Sequence, residues 1–490
     1  MSCVDWCVVV AYLGLMLGVG GYFARRNRTA EDYLLGGRRL PSLALGLSLF
    51  ATLVSTLTYL SIPGEIIRHG PMLITQVAAH PLIFLLVGYG LIPLLMRQPV
   101  TSAYEILETR LGPGIRRAGA MVFLLLRFGW MATILFATSQ VVLIPLLGID
   151  PGWTALLCLG MGLLTAVYSS LGGIKAVVMT DAIQSLTMLT GAIATLTVIS
   201  LRMGGVSGWW PSEWPAHWQS PSWGFDPQPR ISFGILLIST TLWHVCTNGS
   251  DQMSIQRFLC TRDPASARRT LLIAQLTDVS VGILLALTGV ALLSYYSLHG
   301  LADGQELSVD SHGDQLFPRF IMTEMPVGLS GVVVAAILSA ALSSLSSGIN
   351  SACAVLERDF LSGDASTSIS RLRLLTWLVA LVAIALSLLN LFIDGNLLER
   401  CFKIVNLLTV PLFVLFFLAL FVPWANAPGA WLGLLSSIAT AVSIAFARDL
   451  SLPISVSFVW MMPCALIVGV SVGTLSSGLF RLAGISGSQP

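Results

Sequence analysis

Apolar residues fall in long uninterrupted runs separated by short polar segments, the pattern of a chain that crosses a bilayer repeatedly. A spanning helix needs about 20 mostly apolar residues. Thirteen runs approach or exceed that length, at roughly 4–24, 41–62, 72–96, 118–147, 152–170, 176–201, 231–255, 271–298, 326–356, 372–393, 401–423, 427–447 and 455–480. They predict an all-α, polytopic membrane protein with about 13 transmembrane helices. The basic residues sort with this order. Of 26, eighteen fall in alternate connections on one side and six on the other, with only Arg127 and Lys403 inside runs. Because cytoplasmic loops collect Lys and Arg, the split predicts an N-terminus outside the cell membrane and a C-terminus in the cytoplasm. The first run has Asp5 at its start and Arg25, Arg26 and Arg28 after it. A cleaved leader has the reverse arrangement, so a retained helix is expected.

A weak two-fold organisation runs through the middle of the chain. Residues 41–203 and 231–424 each hold five runs, and each set opens on a helix interrupted by polar or flexible residues. In the first these are Ser55, Thr56, Thr58 and Ser61, then Pro63-Gly64; in the second, Thr247, Asn248, Gly249, Ser250 and Asp251. Paired interrupted helices point to inverted repeats with a binding site near the midplane, since unwound backbone is tolerated at that depth only where buried or lining a cavity. The expected divisions are residues 1–40 as an extra helix and first inner loop, 41–203 as one repeat, 204–230 as an external loop, 231–424 as the inverted repeat, and 425–490 as two extra helices. The external loop carries Trp209, Trp210, Trp214, Trp218 and Trp223, read as an interfacial aromatic belt or as a lid over a vestibule. A second loop, 299–318, carries Asp303, Glu306, Asp310 and Asp314 and reads as a solvated acidic segment.

Composition narrows the function classes. Apolar residues make up 55% of the 490 and charged residues 10%, against about 25% in soluble domains. That excludes a soluble enzyme, and a net charge of +2 offers nothing to nucleic acid. The eight cysteines lie in apolar runs, in a basic loop at Cys260, or near the N-terminus, without zinc-site spacing, and read as packing residues. His80 and His244 stand isolated in their runs, and no hydrolase or phosphate-loop motif is present. An enzyme is not expected.

Ionisable groups inside spans cost about 2.5–3.5 kcal/mol on insertion scales, so each needs a reason. Arg127 sits deep in the fourth run, where its planar fork suits a carboxylate, either of a substrate or of a structural acid. Asp181 near the start of the sixth run is a cation ligand or a helix-start charge. Asp278 and Lys403 read as structural pairs or snorkelling groups. In the ninth run Ala340, Ser343, Ser344 and Ser347 are spaced to share one helix face, with Ser346 beside it. Small residues pack helices together; a row of hydroxyls also supplies neutral oxygen ligands to a hard cation.

Three stretches resemble the sodium:solute symporter family, which carries sugars, proline, pantothenate, iodide, monocarboxylates and sialic acid. They are Glu31-Asp32-Tyr33-Leu34-Leu35-Gly36-Gly37-Arg38, the segment from Tyr168 through Gly172-Gly173 and Asp181 to Gln184, and the segment from Val333 through the serines to Glu357-Arg358-Asp359-Phe360. Asp251-Gln252 and Gln256-Arg257-Phe258 add to them. The resemblance implies a ten-helix inverted-repeat core with flanking helices, in which the second run is core helix one and the ninth is core helix eight. It implies a first sodium site made by Ala51 and Val54 with Ala340, Ser343 and Ser344. It implies a second made by Asp181, Ser346 and Ser347, sharing Ser343. The sugar carriers have an acidic–amide pair where this chain has Thr56-Leu57-Thr58, which turns the expectation away from sugars. An arginine on core helix three holds a carboxylate in acid-transporting members, so Arg127 turns it towards an organic anion such as sialic acid. The expected substrate contacts are Arg127, Ser55, Thr58, Gln76 and Asp251, the coupling ion is Na+, and the protein is expected to work as a monomer. The rival readings are a proton-coupled permease of the same fold and a membrane sensor that does not transport.

Overall fold

The computed structural model describes the chain except residues 98–99, 226–230, 301–312, 314, 362–367, 393–396, 448–449, 453–459 and 484–490, and without the side chains of 392 and 397–406. The four acidic residues of the 299–318 loop and the side chain of Lys403 lie outside the described residues. Every regular element described is helical. The longer ones, in chain order, are α1 (Cys3–Ala24), α2 (Ser42–Leu53), α3 (Thr56–His69), α4 (Pro71–Leu95), α5 (Glu105–Leu147), α6 (Pro151–Arg202), α7 (Phe233–Ser250), α8 (Gln252–Leu259), α9 (Pro264–His299), α10 (Leu316–Thr323), α11 (Leu329–Leu361), α12 (Ile369–Leu389), α13 (Leu397–Phe421), α14 (Ala427–Ala445) and α15 (Met461–Leu482). Among the described residues nine helices are long and apolar enough to cross a membrane, or ten if α2 and α3 form one bent span.

Two of the thirteen apolar runs share α6. At about 1.5 Å per residue its 52 residues would stretch more than twice the roughly 30 Å of a hydrocarbon core. The helix breaks at Gly173, whose φ of 55° and ψ of −154° belong to glycine. The break also lets the chain pass close to the short helix Ala30–Leu35, where Tyr33 is fully buried. A Cβ on Gly173 would lie 2.7 Å from the Tyr33 carbonyl oxygen. Tyr33 Oη donates to Ser170 O at 3.1 Å, and Lys175 Nζ meets Asp32 at 2.6 Å. The lysine's hydrogen bond holds the Asp32 carboxyl below its ordinary range. Two of the family-like motifs are therefore one packed joint at one end of the bundle. Gly173→Ala is expected to cost about 1–3 kcal/mol from backbone conformation alone, seen as a lower melting temperature. Gly160→Ala, on the same helix with nothing within 4 Å of its Cβ, should leave melting unchanged or slightly raised.

α11 is the most enclosed of these nine long helices, with 94% of its apolar window buried. It packs against α6, α1, α5, α2 and α12, and its run of Ala, Ser and Gly is what lets so many neighbours approach. Asp5 ties α1 to its start: the carboxylate accepts from Gly328 N at 2.7 Å, Ser330 Oγ at 2.6 Å and Gly331 N at 3.1 Å. The tryptophan loop is not one belt. Trp210, Trp214 and Trp223 are exposed, as a belt requires, but Trp209 and Trp218 are buried. Trp218 Nε1 and His217 both bond Ile67 O, so this part of the loop sits on the end of α3.

Candidate functional site

Two helices break in the middle of the bundle, and the same chemistry ends both. α2 and α3 meet at a 67° bend, with Val54 and Ser55 extended between them. α7 and α8 meet at Asp251, also extended. In each case the second helix is capped by the residue at the break: Ser55 Oγ accepts from Thr58 N at 3.2 Å, and Asp251 Oδ1 from Met253 N at 2.9 Å. Val54, Ser55 and Asp251 are all buried. The breaks fall where the polar residues predicted interruption, with one correction. Pro63 and Gly64 lie inside α3 and do not interrupt it; the last helical residue before the bend is Leu53, ten positions earlier.

Ending a helical ladder releases the carbonyls of its last turn. Those of α2 point at the serine face of α11. Ser343 Oγ donates to Ala51 O at 2.8 Å; Ser344 Oγ lies 3.3 Å from Thr52 O and 3.2 Å from Val54 O. Ala340 O is 3.3 Å from Ser343 Oγ. Two serine hydroxyls and four main-chain oxygens thus converge in a fully buried patch. Oxygens around a cation of calcium's size, at about 2.4 Å from the ion, lie about 3.4 Å apart. The donor set, neutral oxygens only and close to that spacing, fits a hard monovalent ion.

About one turn further along α11 a second group forms around Asp181 of α6. Ser48 Oγ, Ser347 Oγ and Ser346 Oγ donate to its carboxylate at 2.7, 3.0 and 3.2 Å. Ser343 does not touch the carboxylate; its carbonyl accepts from Ser346 Oγ at 3.0 Å. The charge is met by Arg257, whose Nη2 is 3.3 Å from Asp181 Oδ2 and also reaches Ser347 Oγ. Arg257 Nε bonds Ser48 Oγ at 3.3 Å, and Nη1 bonds Met253 O at 2.9 Å. Both partners are fully buried. This corrects the sequence reading, which placed Arg257 among the inner-loop charges. All eight residues of α8 are buried, and an arginine at such a depth survives by pairing with an acid.

Beside the bend opens a cavity of about 410 Å³ lined by α2, α3, α4, α5, α7 and α9. Ser55, Thr58, Gln76 and Arg127, four of the five expected substrate contacts, stand on its wall. Asp251 does not; it lies behind Arg127 and is ion-paired with it. Asp251 as a direct substrate contact is therefore corrected: its carboxylate is spent on the Arg127 guanidinium and the α8 cap. Arg127 is less fully used. Its Nη1 faces Met253 Sδ at 3.0 Å, and its buried Nε has no partner among the described residues.

The same wall holds a cluster that the sequence reading had taken as separate residues. His80 from α4, His244 from α7 and Asp278 from α9 bring one ligand atom each to within 4.8 Å of one another. No spacing along the chain joins these three, so no motif announces them. Ser48, Thr52 and Arg257 were missed for a related reason: ordinary residues in apolar or basic surroundings become site residues only when the bundle closes around them.

Comparison with known proteins places this geometry. A family model described as the sodium:solute symporter family matches residues 33–436. The chain is similar to the sodium/sialic acid symporter SiaT of Proteus mirabilis, 30% identical over 91% of this chain and 90% of that one. It is similar to the sodium/sialic acid symporter NanT of Aliivibrio fischeri, 30% identical over 97% and 93%. A solved structure described as the substrate-bound, outward-open state of a Na+-coupled sialic acid symporter superposes with a TM-score of 0.84 at 29% identity, over 98% of both chains.

Proposed function

The chain belongs to the sodium:solute symporter family, a multi-pass, sodium-coupled transporter and not an enzyme, and from there we propose that it imports a small organic anion together with Na+. The anion is sialic acid or a simpler carboxylate. The observation that carries the reading is Arg127: a guanidinium with unused donors on the wall of a cavity of ligand size, at a helix break. The relatives named as sodium/sialic acid symporters support the same class.

In this reading Ala51, Val54, Ala340, Ser343 and Ser344 hold one sodium ion, and Asp181, Ser346 and Ser347, with Ser343, hold a second. Sodium in the first site ties α2 to α11 and fixes the outward-facing arrangement. The anion then enters beside Ser55, Thr58 and Gln76, its carboxylate on the Arg127 donors that Asp251 leaves free. The two five-helix repeats, 41–203 and 231–424, rock about this site, flanked by 1–40 and 425–490, in a monomer of the cell membrane with its N-terminus outside. Two sodium ions moving with one monoanion carry one net charge, worth about 2.3 kcal/mol per 100 mV. With two tenfold gradients at about 1.4 kcal/mol each, the drive is about 5 kcal/mol, enough for accumulation of several thousand-fold.

Purified protein in liposomes should take up a radiolabelled carboxylate faster under an inward sodium gradient than with choline at fixed pH. Equal uptake in choline overturns sodium coupling for this solute and favours the proton-coupled rival; sodium-dependent binding without flux favours the sensor. Arg127→Gln with Asp251→Asn, which keeps the buried charge balanced, should weaken carboxylate uptake about 10- to 100-fold, the worth of a hydrogen bond to a charged group. Sodium half-saturation should stay as it was. Undiminished carboxylate affinity would remove the role given to Arg127.

A further inference from the structure

We propose that His80, His244 and Asp278 form a binding site for a divalent first-row transition-metal ion, of the Zn2+ or Co2+ kind, on the cavity wall. The starting point is the orientation of His80. Its Nδ1 lies 3.2 Å from Val77 O, and a carbonyl can only accept, so Nδ1 carries a proton. Its Nε2 faces Asp278 Oδ2 at 3.1 Å. In the neutral ring that nitrogen is a lone pair facing a carboxylate, and either a proton on Nε2 or a cation shared by the two groups satisfies the contact.

A proton would serve two of the groups; a metal ion serves all three. The third is His244, whose ring centroid is 5.6 Å from that of His80 and which is held edge-on by Trp243. The three ligand atoms lie within 4.8 Å of one another. Zn–N and Zn–O bonds of about 2.0–2.2 Å put tetrahedral ligands about 3.3 Å apart, so a small rotation of His244 closes the set. The contact from His80 Nδ1 to a backbone carbonyl is the outer-shell bond that fixes the tautomer of metal-binding histidines. The three side chains come from three helices and line the cavity, so an ion has a way in, and at least one coordination position is left facing the cavity. The charge balance of the wall favours the ion too. Its charged side chains, apart from the two histidines, are Arg127 and Asp278, and Asp251 already answers Arg127. Asp278 is then the acid for which a cation is wanted. The site stands on this geometry, whichever solute is carried.

The test is a Co2+ titration of tag-free, full-length protein in detergent, with chelator-treated sodium buffer, followed by visible absorption. One equivalent of Co2+ should give the intense d–d bands of a four- or five-coordinate site. His80→Ala and His244→Ala should each weaken binding at least 10-fold, and Asp278→Asn likewise while keeping a hydrogen-bonding partner for His80. Zn2+ at the same stoichiometry should raise the melting temperature of the parent and not of His244→Ala. Absence of the bands, or Co2+ affinity in all three variants equal to the parent's, overturns the proposal. Variants that melt like the parent without metal show that lost binding is not lost folding. Sodium-driven uptake in the chelator-treated buffer is measured separately, so failure of the metal site leaves the symport reading intact, and the converse.

Discussion

Ser344→Ala is expected to raise the sodium concentration for half-maximal uptake about 10- to 100-fold while leaving the ranking of solutes unchanged. Ser344 is the one hydroxyl that reaches two released carbonyls of the bend, Thr52 O and Val54 O. A sodium ion placed among these oxygens loses one ligand outright in the alanine variant, and no other described side-chain oxygen bonds Val54 O to take its place. Hydrogen bonds and dipoles offered to a charged group are worth about 1.5–3 kcal/mol, which is the quoted range in affinity. Ser343→Ala should act in the same direction through Ala51 O. Ser339→Ala is the control on the same helix: its hydroxyl bonds Ala335 O and Tyr12, one turn away from the bend, and sodium dependence should not change. If Ser344→Ala and Ser339→Ala behave alike, the serine face of α11 is packing and the ion binds elsewhere.

The bend also shows what a sequence can and cannot announce. That two helices break, and roughly where, was legible because Ser, Thr, Asn, Gly and Asp have no other business in the middle of an apolar run. The serine face of α11 was legible because its spacing is local, three and four residues apart. The residue of rupture was not. Pro63-Gly64 looks like the stronger breaker, yet proline is accommodated within α3, and the extended residues are Val54 and Ser55, where a carbonyl cage compensates the lost ladder bonds. Partners from distant elements were not legible either. Arg257 resembles the basic residues around it until α8 is buried, and His80, His244 and Asp278 lie on three helices whose order along the chain says nothing about their meeting. Arg127 was ambiguous for a good reason: it proved to be both a cavity-wall group and the partner of an internal acid. The readings offered for it were not exclusive.

Arg257→Ala should destabilise the protein strongly in sodium-free buffer and recover much of that loss when sodium is added. Removing one partner of a buried ion pair costs about 3–5 kcal/mol, mostly because the remaining charge has nothing to answer it. Here the remaining charge is Asp181, fully buried, with Ser48, Ser346 and Ser347 donating to it. If this carboxylate and its serines also accept sodium, the ion takes the place of the guanidinium, and stability rises with RT ln(1 + [Na+]/Kd). The parent protein should respond less to the same sodium series at this site, because Arg257 already occupies one side of Asp181 and must share it. Asp181→Asn removes the ligand and leaves Arg257 buried alone; it should be destabilised by a similar amount and show only the sodium response that the first site gives every variant. The double change Asp181→Asn with Arg257→Gln, which removes both charges and keeps hydrogen-bonding atoms, should melt closer to the parent than either single variant. Melting curves of the four proteins over a sodium series, at ionic strength held constant with choline, separate the two roles of Asp181. A sodium-dependent rescue confined to Arg257→Ala marks a cation ligand. A sodium response in Arg257→Ala no larger than in Asp181→Asn marks a structural counter-ion for Arg257, and the second sodium site is then not at Asp181.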